Sequence, residues 1–291
     1  MSSKQLGEFM KNPKLKKLIK TILGCSLSCI IAIIAGFFAG NLISDKAFPN
    51  NAYANLNGDD LRDNVSTIST DGKKPSDFDS AISFQIAEEK LMMSTKYTVI
   101  GEGTIETSAG VSQTSYAEDI RDGDSFYFGL TTYSSIVKAS KEAHYSLGGD
   151  IIVNEGTPKD SGLDNVAWKD STTYTWEEYK EAFGRYANRN CNYVVSTKTV
   201  VEDSGFSMDN GLYKCYIELD PILGGSNYVR QVGTNMGVDY KQVVFNRIYL
   251  TFWLDENFHF VKIEKFESFT VPYAGIHLTL NSTITTKFDI S

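Results

Sequence analysis

The sequence predicts an α+β fold: a long curled antiparallel sheet, half-barrel-like, with two or three helices on one face, preceded by one transmembrane helix. Three observations carry this. Thr21 to Ile43 is an uncharged, mostly apolar run of 23 residues. The chain beyond residue 96 is dominated by stretches rich in Thr, Val, Ile, Tyr and Phe, broken by glycine turns. Segments of helical periodicity precede and interrupt those stretches.

Residues 1–20 form a basic tail with Lys4, Lys11, Lys14, Lys16, Lys17 and Lys20 against the single acid Glu8. At about 1.5 Å per residue, the apolar run 21–43 matches a hydrocarbon core of ~30 Å. Lysines flanking a span stay in the cytoplasm, so the N-terminus is expected inside and the rest of the chain outside the cell membrane. A cleaved signal peptide is the competing reading. Ala52-Tyr53-Ala54 has the small-x-small form of a cleavage site, with the cut after Ala54. The apolar run is nevertheless longer than a usual signal core and ends well before that site, which favours a retained anchor. Ile22-Leu23-Gly24-Cys25 has a lipobox form, but almost no apolar run precedes Cys25. Gly24, Ser28, Ala32, Gly36 and Gly40 recur every four residues and put small side chains along one helix face. Such a stripe lets two helices approach closely, so the span is a candidate for self-association. The same residues are also common in membrane helices at large.

Residues 44–76 read as a flexible linker, rich in Asn, Asp, Ser and Gly and poor in apolar side chains. The extracytoplasmic domain is expected over 77–291. Phe78, Ile82, Ile86 and Met93 share one face of an amphipathic helix running from Ser76 to about Met93. Strands follow at 97–107, 111–121 and 125–132, with two more at 136–145 and 150–154. The stretch 156–173 reads as a polar loop. Thr175-Trp176-Glu177-Glu178 is a capping box that opens a second helix to about Ala187. Strands are expected at 193–202 and 211–220, and a short third helix between Pro221 and Gly237. Three long strands close the chain at 243–254, 258–269 and 276–288. In the last, Ile276, Leu278 and Leu280 alternate with His277, Thr279 and Asn281, giving one buried and one wet side.

Outside the basic tail and span, 47–291 holds 21 of the 28 basic and 34 of the 36 acidic residues, a net charge of −13. That balance argues against nucleic-acid binding, which relies on Lys and Arg neutralising phosphates. Roughly 245 residues suffice for one sizeable core or two small ones. Cys191 and Cys215 can form one disulfide outside the cytosol, although a simple hairpin register does not set them opposite each other. Asn64-Val-Ser and Asn281-Ser-Thr are glycosylation sequons that matter only in a eukaryotic secretory pathway.

No catalytic constellation stands out. His144, His259 and His277 lie in separate strands without an acid or Cys at metal spacing, so no metal or cofactor is expected. There is no phosphate loop, nucleophile elbow or His-Glu-x-x-His. Glu88 with Glu89, and Asp119 with Asp122 and Asp124, read as solvated acids.

The element order, the run from Gln113-Thr-Ser to Asp122-Gly-Asp-Ser-Phe-Tyr, and Leu254-Asp-Glu-Asn carry a resemblance. Over residues 77–291 the chain resembles the LolA/LppX/RseB-like lipoprotein-carrier superfamily. The resemblance implies binding or sensing of lipid or acyl chains outside the cytoplasmic membrane. The apparent anchor departs from the soluble carriers and favours a fixed receptor or sensor over a shuttle.

Two functional readings result. In one, Phe78, Ile82, Ile86, Ile248, Leu250, Phe252, Leu254, Ile276, Leu278 and Leu280 line a space that takes a hydrophobic ligand. In the other, the same residues fill a closed core, and the domain is a structural or protein-interaction module of the cell envelope. An enzyme would need a cleft that gathers at least two of the acids and histidines named above.

Overall fold

The computed structural model describes residues 56–135, 138–188, 193–236, 238–273 and 276–290. The apolar run with Gly24, Ser28, Ala32, Gly36 and Gly40 lies outside the described residues, as does Cys191.

Strands account for most of the described chain. In order they are β1 (Lys96–Thr107), β2 (Ser112–Asp122), β3 (Ser125–Tyr133), β4 (Lys138–Ser146), β5 (Ile151–Pro158), β6 (Val166–Tyr174), β7 (Val200–Asp203), β8 (Ser207–Asp209), β9 (Leu212–Leu219), β10 (Val244–Leu254), β11 (Phe260–Tyr273) and β12 (Ile276–Ile290). The α-helices are few and short: α1 (Ser80–Met93), α2 (Trp176–Phe183), α3 (Pro221–Gly224) and α4 (Tyr228–Met236). All twelve strands join one antiparallel sheet, ordered β6-β5-β4-β3-β2-β1-β12-β11-β10-β9-β7, with β8 also paired to β9.

This corrects the expected fold class. The described chain is mostly a twelve-stranded antiparallel sheet with few helices, rather than the mixed α+β fold expected. Among the described residues no helix is long and apolar enough to cross a membrane. Helix content was overestimated for a physical reason. The third helix breaks at Gly225–Asn227, where Asp220 caps α3 and its C-cap ends the turn. The second stops at Gly184, whose φ of +75° makes a left-handed cap. Two strand expectations also change. The polar stretch 156–173 contains β6, and of 193–202 only the end pairs as β7, because Thr199 bonds back to Val194 and Ser196.

From residue 56 on, the stretch read as a linker lies against the domain. Arg62 Nη1 donates to Glu88 Oε2 at 2.7 Å, Asp63 accepts from Thr197 and Gln85, and Val65 packs with Ile86 and Phe258. α1 is therefore covered on two sides. Ala81, Phe84, Ala87 and Leu91 face the sheet, with the Phe84 ring edge-on to Phe252 and Phe260. Ile82, Ile86 and Phe78 face the incoming segment instead.

The helices cover one face of the sheet. α1 and α4 close a large apolar cluster over β9–β12, and α2 closes a smaller one over β3–β5. α4 reaches both halves. Its Tyr228 ring lies 5.6 Å from Lys265 of β11, and its Asn235 accepts from Lys141 of β4 at 3.5 Å. Those strands are five steps apart in the sheet, about 24 Å if it were flat. Seven residues of helix advance only about 10 Å. Even with two lysine side chains reaching inward, the sheet must bend around α4.

Candidate functional site

The residues singled out from sequence fall into two groups. Ile248, Leu250, Phe252, Leu254, Leu278 and Leu280 come together in the large cluster, and each is 1% exposed or less. With so little exposure, this wall is closed by packing. Phe78, Ile82 and Ile86 sit apart, behind α1 with Val65, Ile68 and Phe258. Ile276 opens β12 opposite Tyr273, but its side chain lies outside the described residues.

Between the large and small clusters runs a strip of the same sheet face that belongs to neither. The pairing registers align it across four strands: Thr132 (β3), Ser115 (β2), Gly103 (β1) and Ile284 (β12) share one row. Leu130, Ala117, Gly101 and Thr286 form the next row. Gln113 lies two residues from Ser115 on β2, and Ser282 lies across β1 from Gln113. The strip has a glycine floor at Gly101 and Gly103. A Cβ at Gly103 would come within 2.0 Å of the Thr283 carbonyl oxygen, so β1 requires glycine there for close strand approach. Leu130, Ala117, Ile284 and Thr286 remain partly open.

Several buried polar atoms here have no partner. Gln113 Oε1, Thr132 Oγ1 and Asp119 Oδ1 have no hydrogen bond, although their residues are at least nine-tenths buried. Gln231 Oε1 on α4 is in the same state. Helix geometry puts Gln231 on the sheet side of α4. At 3.6 residues per turn it projects within about 60° of Tyr228 and Asn235, which touch the sheet, and on the opposite flank from Val229 in the large cluster. Thr234, beside it on that flank, bonds the α2 carbonyl of Ala182.

Charges border the strip in pairs. On one side Lys265 Nζ lies 3.6 Å from Glu267 Oε2, which also accepts from the Tyr193 hydroxyl. Burial pushes the Glu267 carboxyl up to about 8, against a hydrogen bond from Ser282. On the other side burial raises Asp119 to about 7, opposed by the Arg185 charge and a hydrogen bond from Tyr97. Sequence reasoning placed Asp119 among solvated acids. Its inward position follows from the pairing of Asp119 with Val99 and Phe128, which no local pattern reveals.

The other sequence candidates do not assemble. Glu88 is tied to Arg62, His259 to Asp255 at 3.0 Å, and His144 to Glu142 at 3.2 Å. Among the described residues no cluster of His, Cys, Asp and Glu is arranged to hold a metal. The Cys215 thiol is buried, donates to Asp203 Oδ1 at 3.2 Å, and is pushed up to about 12 by desolvation. A surface groove of about 430 Å³ beside α1 is lined by Thr70, Lys73, Lys74, Lys90 and Glu256 among others, and is polar.

No family model matches this chain, and no curated protein does. Similarity to solved structures is faint. A DUF1329 family protein from Desulfovibrio piger aligns at 8% identity over 75% of this chain and 92% of that one, with a TM-score of 0.27. A LolA superfamily protein from Nitrosomonas europaea aligns at 9% identity, covering 71% and 93%, with a TM-score of 0.21. The ywiB protein from Bacillus subtilis aligns at 14% identity, covering 67% and 92%, with a TM-score of 0.18. At these values the likeness carries no argument about family or function.

Proposed function

We propose that the domain binds an amphipathic lipid or acyl ligand along the strip between its two apolar clusters. The observation that carries this is the strip itself, where partly open Leu130 and Ile284 sit beside buried, unpartnered Gln113 and Thr132. A surface that is half apolar and half unsatisfied polar suits a ligand with both characters. The six fully packed side chains from Ile248 to Leu280 form the wall behind this site. The uncharged run 21–43 and its flanking lysines support a single-pass anchor in the cell membrane with the domain outside. A ligand site tethered in that way acts as a receptor or sensor.

Mass spectrometry of lipids that co-purify with the full-length protein tests this. Ile284→Trp fills the strip and is expected to abolish the associated lipid while the thermal melt persists. If wild-type protein carries no lipid and takes up none when it is offered, the ligand reading falls. The closure of the large cluster would then favour the second reading, an interaction module with a filled core.

A further inference from the structure

We propose that the strip recognises a neutral, hydroxyl-rich group on its ligand, such as a sugar or glycerol moiety, through the side-chain oxygens of Gln113 and Gln231. This deepens the ligand reading above and rests on it. The two unpartnered amide atoms are both acceptors, so a matching ligand supplies donors. Thr132 Oγ1 accepts or donates as needed. A buried side-chain oxygen left without a partner costs free energy, so three such atoms, two amide and one hydroxyl, point to a partner that arrives from outside the chain.

Charge decides which donors fit. Each nearby basic group sits beside a carboxyl: Lys265 beside Glu267, and Arg185 beside Asp119. A phosphate or carboxylate would have to be desolvated against these carboxyls. The domain's net charge of −13 over 47–291 disfavours an anionic head further. An ammonium would have to be desolvated too, and Glu267 is already engaged by Tyr193 and Lys265. Hydroxyls are donors that bring no charge into a desolvated site.

Three probes separate the terms when titrated into full-length protein kept soluble in amphipol and followed by native mass spectrometry. They are octyl glucoside, octyl sulfate and glucose, the first two below micelle concentrations. Octyl glucoside is expected to bind, octyl sulfate to bind at least about tenfold more weakly, and Gln113→Leu to cost octyl glucoside about tenfold. Gln113→Leu should leave the ligand-free melt unchanged or raised, because it removes an unpaired buried oxygen. A lower melt would mark Gln113 as structural and overturn its role here. Equal binding of glucoside and sulfate, indifferent to Gln113→Leu but lost in Ile284→Trp, would overturn the headgroup inference and leave the lipid reading standing. Failure of every alkyl probe would overturn both. Binding of glucose alone, sensitive to Gln113→Leu, would retain the hydroxyl recognition and assign its source to a free sugar.

Discussion

At the scale of single residues, the sheet's interior is decided by what burial does to polar groups. Asp119 is the sharpest case. Its folded pKa is raised to about 7, so the fold favours the protonated acid. Between the ordinary carboxylate value and that point, the unfolded chain holds fewer protons than the native one. Stability therefore falls as pH rises across this window, with a limiting slope of about 1.4 kcal/mol per pH unit. Arg185 and Tyr97 oppose the shift and so narrow the window. Glu267 acts in the same direction up to about 8. Urea melts of wild type and Asp119→Asn at pH 5, 6, 7 and 8 isolate the Asp119 contribution. The variant should show the shallower decline, and parallel curves would refute the assignment. None of this was legible in sequence. On β2 polar residues occupy both faces: Gln113, Ser115 and Asp119 inward, Thr114 and Glu118 outward. An alternation of polar with polar carries no sign of which side is dry.

At the scale of elements, the strands read best where one face is wet. β10 and β12 showed their buried rows directly, and Ile248, Leu250, Phe252, Leu254, Leu278 and Leu280 share one cluster as their alternation implied. β6 was read as a loop because most of its residues are exposed on both faces, so an edge strand left no period to find. α1 misled in the opposite way. It is buried on two sides, and the stripe of Phe78, Ile82 and Ile86 is the one that meets the N-terminal segment. Phe84, on the sheet side, is fully buried against Phe252 and Phe260. Phe84→Ala is expected to cost about 3–5 kcal/mol, and Ile82→Ala, half-buried, less than about 1.5 kcal/mol. Denaturant melts of the two variants check the ranking, and equal losses would show that α1 leans on both surfaces alike. The N-terminal segment itself was hidden by its composition. Its anchoring is polar, through Arg62, Asp63 and Asp59 to Glu88, Thr197 and Lys180, which sequence period does not report.

At the scale of the whole molecule, the sheet is open, with β6 and β7 each paired on one side only. An open edge is a template for another chain, and proteins suppress this with short or charged edge strands. β7 has four residues and ends in Glu202 and Asp203. β6 is longer, at nine residues, and offers an unpaired row along its outer side. Its protection lies in the adjacent exposed charges Lys169 and Asp170 at its centre. Replacing both with valine leaves the pairing to β5 intact and adds strand propensity, so the fold should hold. What changes is the cost of bringing two β6 edges together, since no charge is then desolvated between them. Lys169→Val with Asp170→Val should therefore give concentration-dependent light scattering at a melting temperature within about 3 °C of wild type. An unassociated double variant would mean that the bend of the sheet around α4, not edge charge, keeps β6 from pairing.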